Sequence, residues 1–140
     1  MEIVPDASVA AKWFRREIYT DNALALLNPS VSVHVPDFFY LEMDSLVSKW
    51  IRRGFIRPNT GDEFRQTLRL YKIKPHSFHL VREHGYQISV ATRTSPYDCL
   101  YLALAIQLGC KLVTADSRYY ENIMATELEQ HLLWIEDVPP

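Results

Sequence analysis

The segment Ser95-Pro96-Tyr97-Asp98, followed by Cys99-Leu100-Tyr101-Leu102-Ala103-Leu104-Ala105-Ile106, constrains this chain more than any other. Ser95 and Asp98 have capping-box spacing, Pro96 suits the first helical position, and Gly109 can end the helix. Such a helix is apolar nearly all round. It has no face to give to water, so other elements must surround it. Short apolar runs at Glu2–Pro5, Val31–Val35, Lys111–Ala115 and about His131–Ile135 read as strands. Helical spacing fills the intervals: Ala7–Phe14, Thr20–Leu27, Asp37–Arg53, Thr60–Tyr71, Phe78–Thr92 and a short helix after Asp116. Thr60 and Glu63 form a second capping box, and Gly85 is a weak point in its helix. Strands alternating with helices imply an α/β fold, with a mostly parallel central sheet covered on both faces in three layers.

With 140 residues the chain is expected to be a single domain, 1–140. Its size suffices to bury a core without disulfides. Cys99 and Cys110 are poorly spaced to bridge along one helix, so both read as buried thiols in a reducing, cytoplasmic setting. The N-terminus lacks a basic leader region, and no apolar run is long enough to span a membrane. The net charge of −2 does not announce a nucleic-acid partner, but the charges are unevenly placed. Lys49, Arg52, Arg53, Arg57, Arg65, Arg69, Lys72 and Lys74 face only Asp62 and Glu63 in the same stretch. This basic middle is either a footprint for phosphates or a solvated helix face.

Four acids stand at the ends of apolar segments: Asp6, Glu42, Asp98 and Asp116. Each has an ordinary explanation. Asp6 caps the following helix, Asp98 completes its capping box, Asp116 caps a helix or pairs with Arg118, and Glu42 is a surface residue. Together they suggest more. Asp6 and Asp116 occupy the same slot after two strands, and a parallel sheet brings all four to one edge, where open α/β sheets bind ligands. Crowded carboxylates repel and take up protons unless a cation joins them. Mg²⁺ or Mn²⁺ with oxygen ligands is the expected solution, and hydrolysis of a phosphodiester is the expected chemistry.

The segments Val4-Pro5-Asp6-Ala7-Ser8-Val9-Ala10-Ala11-Lys12-Trp13, Val35-Pro36-Asp37-Phe38-Phe39-Tyr40-Leu41-Glu42, Tyr97 to Ala105 and Leu112-Val113-Thr114-Ala115-Asp116 resemble the PIN-domain family. Within it, they resemble the VapC-type toxins of toxin–antitoxin pairs. The resemblance covers nearly the whole chain. It implies a divalent-metal-dependent endoribonuclease using Asp6, Glu42, Asp98 and Asp116, with Ser8 supporting the first acid. It also implies homodimers and a neutralising antitoxin. Members often carry Asn where this chain has Ser45, which alters the polar support around the site. Asp44 is a neighbouring polar group, but adjacent helical positions point apart. Lys12, Arg15, Arg52 and Arg53 are the candidates to hold an RNA backbone. The rival readings are a PIN-fold binding or scaffold module without turnover, and a nuclease acting on DNA.

Other sites are discounted. His76, His79 and His84 lack a fourth ligand and a usefully spaced cysteine. Ser8 and Ser95 have no visible base, and no nucleotide-binding glycine motif is present. Trp13, Phe14, Phe38, Phe39 and Tyr40 are read as core or dimer-contact residues in preference to a base-stacking surface.

Overall fold

The computed structural model describes all of Met1–Pro140. Five strands form one sheet: β1 Glu2–Pro5, β2 Ser32–Pro36, β3 Ile73–His76, β4 Lys111–Thr114 and β5 Leu132–Trp134. Their order is β3-β2-β1-β4-β5, and every pairing is parallel. The helices are α1 Ala7–Ala10, α2 Thr20–Ala25, α3 Phe39–Arg52, α4 Pro58–Leu70, α5 Arg82–Thr92, α6 Pro96–Leu108 and α7 Ser117–Met124. No helix is long and apolar enough to cross a membrane.

The α6 sequence behaves as its composition demands. Every residue from Cys99 to Ala105 is buried, and the helix packs on β1, β2 and β4. Ser95 caps it, accepting from the Tyr97 backbone N–H at 3.2 Å. At the other end Gly109 adopts φ +68°, and the Gly109 and Cys110 N–H groups return to the last carbonyls of the helix. That left-handed turn delivers the chain directly into β4. Gly85 has a specific job too. A Cβ there would meet Leu100 Cδ2 at 3.0 Å, so the missing side chain lets α5 lie close against α6.

The order reverses between β1 and β4. From β1 the chain steps outward through β2 to β3, then crosses back to β4 and β5 on the other side. This is the switch point, where connections diverge and leave a crevice beyond the strand ends.

Several sequence expectations shift. β3 was not foreseen: it is an edge strand with little burial, and its Lys74 and Pro75 disguise it while discouraging further pairing. The Ala7–Phe14 helix is α1 followed by a tighter turn, Ala11–Trp13. The helix placed at Asp37 begins at Phe39. The Asp37 carboxylate instead accepts from Phe78 N–H at 3.1 Å. The Thr60–Glu63 capping box does not form, because α4 starts earlier, with Pro58 in its first turn. Phe78–Thr92 divides into a short turn, Phe78–Leu80, and α5. Cys99 is buried but Cys110 is half-buried, and both are free thiols. The three clustered histidines are not joined. His76 lies 2.9 Å from the buried His34, and His79 stacks on Phe78. Trp13 and Phe39 are buried in the core, with Phe14, Phe38 and Tyr40 packed against it.

Gly109→Ala should lower stability by about 1–2 kcal/mol, the cost of a Cβ in left-handed backbone. Urea denaturation monitored by circular dichroism will show this as a lower midpoint with an unchanged slope.

Candidate active site

Asp6 leaves β1 at the switch point with extended backbone, and its side chain faces the end of β4. Its Oδ1 accepts from the Ser8 hydroxyl at 2.5 Å and from Val9 N–H at 3.2 Å. Its Oδ2 accepts from the Thr114 hydroxyl at 2.5 Å. Ser8 Oγ in turn accepts from Ala115 N–H at 3.0 Å, and Thr114 Oγ1 from Asp116 N–H at 3.1 Å. Two hydroxyls thus stitch the start of α1 to the end of β4 through one carboxylate. Thr114 was missed in the sequence, where it reads as one more β-branched strand residue.

Beside Asp6 opens a cavity of about 550 Å³. Its lining includes Ser8, Lys12, Arg15, Glu17, Glu42, Ser45, Asp98 and Asp116, with Leu46 and Trp50 as an apolar wall. The structure therefore brings Glu42, Asp98 and Asp116 around one space, next to Asp6. Glu42 sits in the first turn of α3, half-buried, where its Oε1 accepts from the Tyr101 hydroxyl at 2.5 Å. Asp98 sits in the first turn of α6 but does not close the capping box; no hydrogen bond is made to its carboxylate. Asp116 caps α7 through Tyr119 N–H at 3.1 Å and forms no ion pair with Arg118. Asp44 is turned away and pairs with Arg65 of α4, Oδ1 to Nε at 2.7 Å.

The cations divide. Lys12 is buried in the cavity wall and pairs with Glu17, Nζ to Oε1 at 3.1 Å. Arg15 also lines the cavity; its guanidinium lies 5.2 Å from the Trp50 ring centre and 4.8 Å from that of Phe55. Arg52 and Arg53, at the end of α3, are exposed and outside the cavity. Glu17 is a cavity residue that no spacing or periodicity in the sequence singled out.

Burial pushes the Asp6 carboxyl up to about 6, against the pull of its three hydrogen bonds and with a further push from Asp116. Asp98 is pushed up to about 7 by burial and then by the charges of Asp6, Asp116 and Glu42. Burial also raises Glu42, opposed by the Tyr101 hydroxyl. As they stand, no three acid, histidine or cysteine side chains converge tightly enough to clasp an ion. The donor chemistry nevertheless fits a hard dication. The groups are carboxylates only, and their mutual repulsion is relieved by positive charge.

The PIN domain profile matches residues 3–123, a span holding all four acids. The chain belongs to the PIN-domain family. It is 28% identical to Ribonuclease VapC3 of Pyrobaculum aerophilum over 127 residues, which is 89% of this chain and 97% of that protein. Its fold is also similar to a crystal structure of VapBC2 from Rickettsia felis bound to a DNA fragment from its promoter. That likeness has a TM-score of 0.65 and 13% identity, and covers 96% of this chain and 98% of the other.

The raised carboxyls fix a direction of pH dependence for this PIN domain without metal. Folded Asp6 and Asp98, at about 6 and about 7, hold protons that the unfolded chain has released. Their contribution to stability is therefore complete below the ordinary carboxylate range and is lost as pH rises through these values. Thermal melts in chelator should show stability falling between about pH 4 and pH 7 on this account, and Asp98→Asn should flatten the fall.

Proposed function

We propose that this PIN domain is a divalent-metal-dependent endoribonuclease and the toxin of a toxin–antitoxin pair. The observation that carries this reading is the meeting of Glu42, Asp98 and Asp116 around one cavity beside Asp6, at the switch point of a parallel sheet. Similarity to a named ribonuclease over nearly the full length of both chains supports it. Asp6, Asp98 and Asp116 would hold Mg²⁺ or Mn²⁺, and Glu42 would bind a metal or position the attacking water. The cation supplies charge stabilisation at the phosphate and a more acidic water.

The remaining work falls to the chain itself. Ser8 and Thr114 fix the Asp6 carboxylate, and Tyr101 fixes that of Glu42. Ser45, exposed at the cavity edge, is free to hydrogen-bond a substrate oxygen. Lys12 and Arg15 offer positive charge inside the cavity, and Arg52 and Arg53 extend it outward along α3. Such contacts grip the backbone of RNA without reading its sequence. A cognate antitoxin that covers the cavity would silence the enzyme, and a homodimer would set two cavities in one particle.

The test is cleavage of an RNA panel and of matched DNA, with Mn²⁺, Mg²⁺ or chelator. RNA cut only with metal supports the reading; DNA cut equally well would move the substrate, and metal binding without any cleavage would favour a scaffold. Asp98→Asn should reduce kcat by more than about a hundredfold, the upper end for loss of a mere supporting partner. Thr114→Val should cost about 10–100-fold with the fold intact, measured in the same assay. RNA binding in chelator should weaken with salt, and each phosphate-gripping cation replaced by alanine should flatten the log–log slope by about 0.7.

A further inference from the structure

Lys12 is buried in the wall of a cavity that also presents Glu42, Asp98 and Asp116. An ammonium on a flexible four-carbon stem in such a place is drawn to those acids, with an attraction well above that in bulk water. It does not pair with them. Its one ion pair is to Glu17, on the same cavity wall and half-exposed.

Both ends of that pair are anchored. Lys12 lies in the tight turn Ala11–Trp13, and the Trp13 indole N–H donates to the Ala23 carbonyl at 2.9 Å. Glu17 N–H donates to Thr20 Oγ1 at 2.9 Å, and Thr20 N–H donates back to the Glu17 carbonyl at 3.2 Å. Thr20 is itself buried. The loop before α2 is therefore tied at the point where Glu17 projects. In the same cavity, Glu42, Asp98 and Asp116 form no ion pair with any cation.

We infer that Glu17 is a positioning residue: by holding the Lys12 ammonium to its own side, it keeps Glu42, Asp98 and Asp116 free for a divalent cation. The inference rests on the metal-dependent reading above. Without Glu17, Lys12 is a buried charge lacking its partner, a costly state that re-pairing with the acids relieves. The lysine then becomes an internal competitor of the metal. With Glu17 in place, the same ammonium stays available to an incoming phosphate oxygen.

The experiment is Mn²⁺ titration of the full chain, without RNA, followed by the free-ion signal in electron paramagnetic resonance. The proteins are wild type, Glu17→Gln, Glu17→Asp, Lys12→Met and the double variant Lys12→Met with Glu17→Gln. Glu17→Gln should weaken Mn²⁺ binding by about tenfold or more, the scale of a competing charge at contact. Glu17→Asp keeps the charge but shortens the reach, and should fall between. Removing the competitor should rescue, so the double variant should bind within about threefold of Lys12→Met. Unchanged binding in both Glu17 variants overturns the inference. Weakened binding that Lys12→Met does not rescue also overturns it, because Glu17 would then be acting as a ligand itself. Wild-type protein that takes up no Mn²⁺ overturns the metal-dependent reading, and this inference with it.

Discussion

A single buried carboxylate fastens the seam at which β1 pairs with β4 and the two halves of the sheet meet. Asp6 follows β1 and is gripped by hydroxyls from Ser8 and Thr114, the second of which belongs to β4. Parallel strands that neighbour each other only through a long crossover have no hairpin to set their ends in register. Here the register of β1 on β4 runs from Ile3 opposite Lys111 to Pro5 opposite Val113, and the Asp6–Thr114 contact is its next step. Sheet alignment and site geometry are thus one constraint. A slip of one residue would point Asp6 to the opposite face and dissolve both.

The burial of Asp6 and Asp98 works against their ionisation, and the fold accepts that cost at the place where a cation can cancel it. Burial raises Glu42 as well, and like Asp6 it is held by a hydroxyl. Its carboxylate is braced by Tyr101, which α6 presents from the same helix that carries Asp98. The apolar helix at the centre of the molecule therefore positions two of the acids, one on its own first turn and one across the gap to α3. Its packing on the sheet, and the left-handed turn at Gly109 that feeds β4, set the separation between Asp98 and the acids at the strand ends.

Much of this was legible in the chain. The apolar character of Leu100–Ile106 announced a central helix, and the repeated placement of an aspartate after an apolar strand announced a shared edge. What stayed hidden was hidden for physical reasons. β3 lies at the margin of the sheet, where lysine and proline are tolerated or useful, so it lacks the pattern of a buried strand. Thr114 serves as both strand former and hydroxyl donor, and only the first role shows in a pattern of hydrophobicity. Glu17 lies in a loop, where no periodicity operates; only the folded contact with Lys12 distinguishes it. Lys12 and Arg15 line the cavity whereas Arg52 and Arg53 face solvent beyond it, a division the sequence does not show, because helical spacing fixes a direction and not a destination.

The pairing of the first strand with the fourth has a bearing on how the molecule comes into being. Asp6 leaves a ribosome 108 residues before its partner Thr114, and Ser8 likewise waits 107 residues for Ala115. A nascent chain, or one truncated before β4, holds Asp6, Glu42 and Asp98 but lacks Asp116 and the Thr114 and Ala115 groups that hold Asp6 and Ser8. Bringing those distant ends together is also the slowest kind of contact to form. Closure of the site is thus deferred until β4 and the residues just after it have been made. For a protein whose proposed target is RNA, that order of assembly keeps the machinery making it from meeting a half-built but active enzyme.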